Sequence, residues 1–163
     1  MIPVQLPDRL LVRRAGPADA AAVQALVERS DLASRYSRFH GALRRLPAPY
    51  LHLLVDAPAS VHDTLLVEAD GVVVGYGDLG PVTGEPGVVE IGLLVEEPWR
   101  GRGVATVLLD ELADRATARG ATVLRAVVLH DTLPGVRSLL RGREVVTSQA
   151  TEHGVVVDLA LTA

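Results

Sequence analysis

The sequence contains no cysteine, which excludes disulfide bonds and thiolate chemistry on the protein itself. It also contains no lysine, so the 16 basic residues are all arginine, and 20 acidic residues bring the net charge to −4. No basic block with interleaved aromatic residues is present, a pattern that would track a nucleic-acid backbone. We therefore expect no nucleic acid as a partner.

Long hydrophobic runs are absent as well. No segment approaches the roughly 18 apolar residues of a membrane-spanning helix, and no secretory signal pattern stands at the N-terminus. The histidines show no metal-ligand spacing, so no metal site is expected. What the chain has in abundance is alanine, valine and leucine, and apolar residues make up 48% of the sequence. A soluble cytoplasmic protein with one packed domain over residues 1–163 is the expectation.

Hydrophobic periodicity predicts the element order β-α-α-β-β-β-α-β-α-β-β. Asp70 and Gly71 separate two apolar runs, a strong signal for a β-hairpin. The predicted strands cover residues 10–14, 64–69, 72–79, 88–95, 122–129, 145–147 and 155–161. Helices are predicted after residues 16–19, within 30–43 (as a helix or a helix plus loop), within 46–57, and over 102–120 and 134–141. The fold class is α+β, with a mixed sheet flanked by helices on both faces.

One stretch combines a strand, a tight glycine turn and a helix start. The apolar strand 88–95 is followed by Arg100-Gly101-Arg102-Gly103-Val104-Ala105 and then by apolar residues at helical spacing. Such a turn points backbone N–H groups and the positive end of a helix dipole into one space, which favours a phosphate. The turn matches neither the nucleoside-triphosphate P-loop nor the GxGxxG pattern. A turn that binds nothing remains the alternative at this point.

The turn fits the pattern [Q/R]-x-x-G-x-[G/A], and with the element order it resembles the GNAT superfamily of acetyl-CoA-dependent N-acetyltransferases, in which the sheet is mostly antiparallel. The resemblance implies acetyl-CoA as the cosubstrate. It also implies that the strand before the turn splays from its neighbour and binds the pantetheine arm along Leu93, Leu94 and Val95. The diphosphate would then be bound by Arg100, Gly101, Arg102, Gly103, Val104 and Ala105.

Glu90 interrupts the apolar strand shortly before the pantetheine segment. Attack on a thioester needs a neutral amine, so a proton acceptor is useful, and burial in a strand favours proton uptake near neutral pH. The segments Val89–Val95 and Ser34–Leu43 also resemble bacterial GNAT protein-lysine acetyltransferases, in which a glutamate at this place is the base. A solvent-facing Glu90 that only aids solubility is the alternative. Likewise, Tyr36 and Phe39 either pack on the core or overhang a substrate site.

The last third departs from the family, because the tyrosine that commonly acts as general acid is missing and no tyrosine follows Tyr76. The CoA thiolate would leave unassisted, or His130 or water would donate the proton. The leading hypothesis is an N-acetyltransferase that acts on a primary amine, of a protein lysine or a small molecule, by direct attack with Glu90 as base. The alternatives are an acyl-CoA-binding regulatory module without activity and a structural protein with an incidental turn. A homodimer is one possible assembly.

Overall fold

The computed structural model describes residues 10–162. Residues 1–9 and 163 lie outside this range, so the extent of the predicted domain, 1–163, stays a prediction. The strands are β1 (Leu10–Arg14), β2 (Asp63–Ala69), β3 (Val72–Pro81), β4 (Val88–Val95), β5 (Val123–Leu129), β6 (Val145–Ala150) and β7 (Gly154–Ala160). The helices are α1 (Ala20–Arg29), α2 (Leu32–Phe39), α3 (Ala48–Asp56), α4 (Val104–Ala118) and α5 (Leu133–Leu139).

The strands form one seven-stranded sheet in the order β1-β2-β3-β4-β5-β7-β6. Neighbouring strands run antiparallel except β4 and β5, which are parallel and are joined through α4. This β-α-β unit is the one expected after a set of hairpin-connected strands. The α+β fold class with a mixed, mostly antiparallel sheet is therefore confirmed.

Two clusters of buried side chains cover the two faces of the sheet. Leu65 and Val67 of β2 point to the face that packs against α4, through residues such as Leu108. Leu66 points to the opposite face, where it meets α1 residues such as Leu26. The alternation follows from the two-residue period of a strand. Helices accordingly lie on both faces, as the apolar pattern predicts.

The predicted turns are confirmed, with shifts at the element ends. Asp70 and Gly71 both adopt positive φ, 50° and 80°, as a two-residue hairpin turn requires. The expected start of the long helix at Arg102 is wrong, because α4 begins at Val104. Gly101 and Gly103 have φ of 68° and 85°, so the turn itself occupies the residues before Val104.

The central feature of the sheet is a cleft between β4 and β5. These strands pair only at Val88–Glu90 with Val123–Arg125. Beyond that point β5 continues to pair with β7, while β4 pairs only with β3. The side of β4 from Ile91 to Val95 therefore faces open space instead of a neighbouring strand. This splay agrees with what the family resemblance implies.

Candidate functional site

A cavity of about 490 Å³ lies where β4 meets the glycine turn and the start of α4, and we refer to it as the turn cavity. Residues from α2 and α5 close its sides. Because Gly101 and Gly103 carry no side chain, the backbone of the turn is open to a ligand, which fits a diphosphate. Eight of the nine predicted cofactor residues line the cavity: Leu93, Leu94, Val95, Arg100, Gly101, Gly103, Val104 and Ala105.

The ninth predicted cofactor residue, Arg102, lies elsewhere. Its guanidinium carbon is 5.1 Å from the centre of the Trp99 ring, and Arg102 is not among the residues that line the turn cavity. A cation over an aromatic face accounts for this placement. The prediction that Arg102 contacts the diphosphate therefore finds no support in its side-chain position.

Arg100 ties α2 to the end of β4. Its Nε donates to the Val95 carbonyl oxygen at 3.3 Å, and its Nη2 hydrogen-bonds to Ser34 Oγ. Ser34 Oγ also lies 2.7 Å from Glu97 Oε1, and Asp31 caps α2 by accepting from the Ser34 N–H at 2.7 Å. This network fixes the position of α2 beside the glycine turn.

A second cavity, of about 140 Å³, fills the splay between β4 and β5, and we call it the cleft cavity. Its walls are mostly apolar and include Leu109 of α4 and Val128 of β5. It continues from the turn cavity, since both are lined by Ser37, Leu93, Thr132, Val136 and Leu139. An extended arm can therefore run from the glycine turn into the sheet.

A third cavity, of about 810 Å³, opens between α2, α3 and the ends of β3 and β4, and we call it the outer cavity. Phe39 and Tyr50 form an aromatic wall, with ring centres 6.3 Å apart at an angle of 88°. The cleft and outer cavities meet at the residues that line both: Arg38, Glu90, Ile91 and Gly92. We call this meeting point the junction.

Glu90 lies at the junction, but the burial expected from its apolar strand is wrong. Its side chain is exposed. The physical reason is its cross-strand partner, Gly80, which has no side chain to cover it. The opposite neighbour, Arg125, is bound instead to Glu85 at 2.7 Å and to Asp158 at 2.8 Å. Within residues 10–162 no ion pair engages Glu90, so its carboxylate faces the outer cavity unpaired.

A polar cluster of four side chains borders the junction. Arg38 Nη2 donates to Asp78 Oδ1 at 2.6 Å and to the Tyr50 hydroxyl at 2.7 Å, and His62 Nε2 lies 2.8 Å from Asp78 Oδ2. Burial opposes the charge of Asp78, yet Arg38 and His62 outweigh it and hold the pKa of Asp78 below its usual value. Burial chiefly raises the pKa of Tyr50 to about 12.

Sequence reasoning did not single out Arg38, Asp78 or His62 as functional residues. A signal was available for Asp78, which interrupts the apolar strand β3 just as Glu90 interrupts β4. The sequence left open whether Tyr36 and Phe39 of α2 pack on the core or overhang a substrate site, and the two residues differ in this respect. Phe39 packs against the core and also lines the outer cavity, whereas Tyr36 is 50% exposed and is in neither place.

The other chemical candidates lie away from the junction. His130 is exposed, and it is absent from the linings of all three cavities. In the described part of the chain, no group of three or more histidine, aspartate or glutamate side chains could hold a metal ion. Over the same residues no helix is long and apolar enough to cross a membrane.

Comparison with known proteins shows which family the chain resembles. The family model described as the acetyltransferase (GNAT) family matches residues 27–141. An L-methionine sulfoximine/L-methionine sulfone acetyltransferase of Pseudomonas paraeruginosa is 38% identical over 78 residues, 45% of each chain. Its counterpart in Pseudomonas aeruginosa is 39% identical over 64 residues, 37% of each chain. The matches thus span less than half the length of these curated relatives.

Solved structures of similar shape cover nearly the whole chain. The GNAT domain of S. lividans PAT has a TM-score of 0.78 at 25% identity and covers 91% of this chain and 88% of its own. A putative acetyltransferase from Salmonella typhimurium, solved with its cofactor acetyl-CoA, has a TM-score of 0.74 at 21% identity. That match covers 95% of this chain and 94% of the other.

Proposed function

The chain belongs to the acetyltransferase (GNAT) family, whose N-acetyltransferases use acetyl-CoA, and we propose that it transfers an acetyl group from acetyl-CoA to a primary amine. In this proposal the turn cavity binds the CoA diphosphate and the cleft cavity receives the pantetheine arm. The backbone of Leu93, Leu94 and Val95 hydrogen-bonds the arm, since this side of β4 has no strand partner beyond Glu90.

The observation that carries the proposal is the junction. A donor arm that enters from the glycine turn and an acceptor that enters from the outer cavity meet at Glu90–Gly92, inside the splay. Holding two reactants in contact in this way is a large part of the rate enhancement of a transferase. A turn that bound an anion for structural reasons alone would not need a continuous path to a second opening.

Glu90 is the proposed general base. An amine with a pKa near 10.4 is almost entirely ammonium at neutral pH, so it must lose a proton before attack. The exposed, unpaired carboxylate of Glu90 can accept that proton directly or through one water molecule. The departing thiolate resembles that of cysteine, with a pKa of about 8.5, and leaves without an acid from the protein.

We propose a small primary amine as the acceptor, and a protein lysine as the second candidate. The names of the curated relatives support the first, because methionine sulfoximine and methionine sulfone each carry a free α-amine. The acidic Glu90 and the aromatic wall of Phe39 and Tyr50 suit a cation with an apolar body. A cytoplasmic location and a homodimer stay predictions from the sequence.

The test compares the wild type with Glu90→Gln in a thiol-release assay with acetyl-CoA. The acceptor panel holds methionine sulfoximine, methionine sulfone, simple primary amines and a lysine-rich protein. Loss of a general base should lower kcat on the order of 100-fold without weakening CoA binding in calorimetry. Glu111→Gln, an exposed glutamate on α4, is the matched control and should keep full activity.

Equal rates in the wild type and in Glu90→Gln would remove Glu90 from the reaction. Acetyl-CoA binding without turnover of any acceptor would instead support the regulatory module. Absence of acetyl-CoA binding would overturn both hypotheses.

A further inference from the structure

Arg38 lies directly over the backbone of β4 at the junction. A Cβ atom added to Gly92 would be 2.3 Å from Arg38 Cζ and 2.4 Å from its Nε, distances that atoms cannot adopt. The lack of a side chain at residue 92 therefore makes room for this guanidinium. Arg38 lines both the cleft and the outer cavity, so it lies between the proposed paths of the donor and the acceptor.

The guanidinium is held in one position. Asp78 and Tyr50 both accept from Nη2, and Cζ lies 5.1 Å from the centre of the Phe39 ring and 5.7 Å from that of Tyr76. Only 16% of the side chain is exposed. Burial works against the charge, but the Asp78 carboxylate outweighs it and keeps the pKa of Arg38 above its usual value. A cation fixed in this way needs no reorganisation when a charge forms beside it.

Two of the three nitrogen atoms of Arg38 are unused. Nε is buried and has no hydrogen-bond partner. No hydrogen bond within residues 10–162 involves Nη1, and Nη1 is not among the buried unpartnered atoms, so it is open to a ligand. Buried polar groups are nearly always paired, and leaving a donor unpaired destabilises a fold. The pairing with Asp78 alone therefore does not account for an arginine at this place.

The junction holds two ionisable side chains of opposite charge. Glu90 and Arg38 are its charged members, while Ile91 and Gly92 offer only backbone polar groups. Acyl transfer needs both a proton acceptor for the amine and a positive group for the carbonyl oxygen, which becomes negative as the amine adds. Glu90 can serve only the first need, and Arg38 is the one of the four junction residues that carries the positive charge suited to the second.

We propose that Arg38 is a catalytic residue that hydrogen-bonds to the acyl carbonyl oxygen and stabilises its negative charge; this inference rests on the acetyl transfer proposed above. The amine nitrogen shares its electron pair with the carbonyl carbon, and the π pair of the carbonyl bond moves to the oxygen beside Arg38. Glu90 takes one proton from the ammonium before this attack, and the nitrogen loses its second proton to water once the C–N bond has formed. When the oxygen pair returns, the C–S bond breaks and the sulfur leaves with its pair as the CoA thiolate.

The first test needs no acceptor. Acetyl-CoA labelled with ¹³C at the carbonyl is bound to the wild type, to Arg38→Gln and to Arg35→Gln, and the carbonyl signal is recorded by NMR. A guanidinium at the oxygen polarises the bond, so the wild-type signal should move downfield from that of free acetyl-CoA. Arg38→Gln should lose most of this shift. Arg35→Gln, on the same helix and outside the linings of the three cavities, should keep it.

The second test is kinetic. Removing one group that stabilises the oxyanion should lower kcat by about 100- to 1,000-fold while the KM values change little. Arg38→Lys should recover part of the loss because it keeps the charge but not the planar fork. Thermal unfolding and calorimetry with CoA show whether each variant still folds and binds.

An unchanged carbonyl signal in Arg38→Gln would overturn the proposal. So would a rise in the acceptor KM with kcat unaltered, since Arg38 would then bind the acceptor. If the carbonyl shift is lost in Arg38→Gln while Glu90→Gln keeps full activity, the role of Glu90 fails and that of Arg38 stands. If Arg38→Gln does not fold, the signal and kcat of Arg38→Lys decide: values equal to those of the wild type in both would overturn the specific role of the guanidinium.

Discussion

Two aspartates, Asp63 and Asp78, are buried one register step apart on neighbouring strands. Asp63 opens β2 opposite Leu79, and Asp78 of β3 lies opposite Thr64. Their side chains are 1% and 6% exposed, and both pKa values are held below the usual range. In both cases burial raises the pKa and arginine partners outweigh it. The difference lies in those partners.

Asp63 is a structural ion-pair centre. Arg115 of α4 and Arg119, the residue after α4, contact its Oδ2 at 2.6 and 2.7 Å, and Arg14 of β1 contacts its Oδ1 at 3.3 Å. The three arginines are each about one third exposed, so water also solvates them. This carboxylate of β2 connects β1 to α4 and to the residue after α4. Three positively charged guanidinium groups therefore surround one negative charge.

Asp78 has fewer positively charged partners than Asp63. One buried arginine and one histidine share its two oxygen atoms, and all three side chains line the outer cavity. Here the buried Arg38 retains donors without a partner, whereas at Asp63 Arg14 also donates to the Ala57 carbonyl oxygen at 2.7 Å and the three arginines are partly exposed to solvent. On the proposal above, Asp78 positions Arg38 for the reaction, whereas Asp63, with its three arginine partners, stabilises the fold.

The largest difference should appear in stability. Asp63→Asn leaves three arginines around a neutral amide, and losing one partner of a buried ion pair should lower the free energy of unfolding by about 3 kcal/mol. Urea unfolding measures it. Below its midpoint the variant should keep the wild-type kcat, since Asp63 lines neither the cleft cavity nor the outer cavity. A marked fall in kcat in the folded variant would contradict the assignment of Asp63 to structure alone.

For Asp78→Asn the expected effect is on the reaction. Arg38 loses the charge that positions it, so kcat should fall by roughly 100-fold, or about 2.7 kcal/mol in the barrier, with little change in the KM for acetyl-CoA. Adding Asp78→Asn to Arg38→Gln should cost little more, because both act through one group. Asp63→Asn combined with Arg38→Gln should instead give additive effects. Full additivity of the Asp78 and Arg38 substitutions would show that the two residues act independently.

The smallest effect concerns acid stability. Because the pKa values of Asp63 and Asp78 are lowered by folding, both carboxylates contribute stability above their unfolded value of about 3.9, and this contribution is lost as the pH falls through the lower folded values. Replacing either by asparagine should reduce the acid slope of the unfolding free energy by up to about 1.4 kcal/mol per pH unit. Denaturant titrations from pH 5 to acid follow it, and an unaltered slope in both variants would exclude this linkage.

The sequence predicted the elements whose signals are local. The hairpin at Asp70-Gly71 and the turn at Gly101 and Gly103 need positive φ, and glycine at such positions is readable from a few neighbouring residues. The splay of β4 from β5 followed from the family resemblance. The start of α4 was misplaced by two residues because the glycines that form the turn also displace the first helical residue.

The polar cluster could not be read from the sequence because its members are far apart along the chain. Arg38 and Asp78 are separated by 40 residues, and His62 and Asp78 by 16. Which charges meet depends on how α2 crosses the sheet, and no local pattern encodes that crossing. Whether Glu90 is buried or exposed could not be decided from the sequence for a similar reason, since its exposure depends on the glycine opposite it on β3.

The splay between β4 and β5 also affects the stability of the protein when no ligand is bound. From Ile91 to Leu94 the side of β4 away from β3 presents N–H and C=O groups without a strand partner, as a strand at the edge of a sheet does. Unpaired backbone groups of this kind can pair with a strand of another chain. Edge strands often prevent such pairing with charged side chains. In this cleft, charged side chains would also block the acyl donor. The pantetheine arm proposed to bind here would pair with these groups as a neighbouring strand does, and it would stabilise the native state by mass action. On the proposed binding mode, acetyl-CoA would therefore raise the free energy of unfolding of this protein as well as serve as its donor.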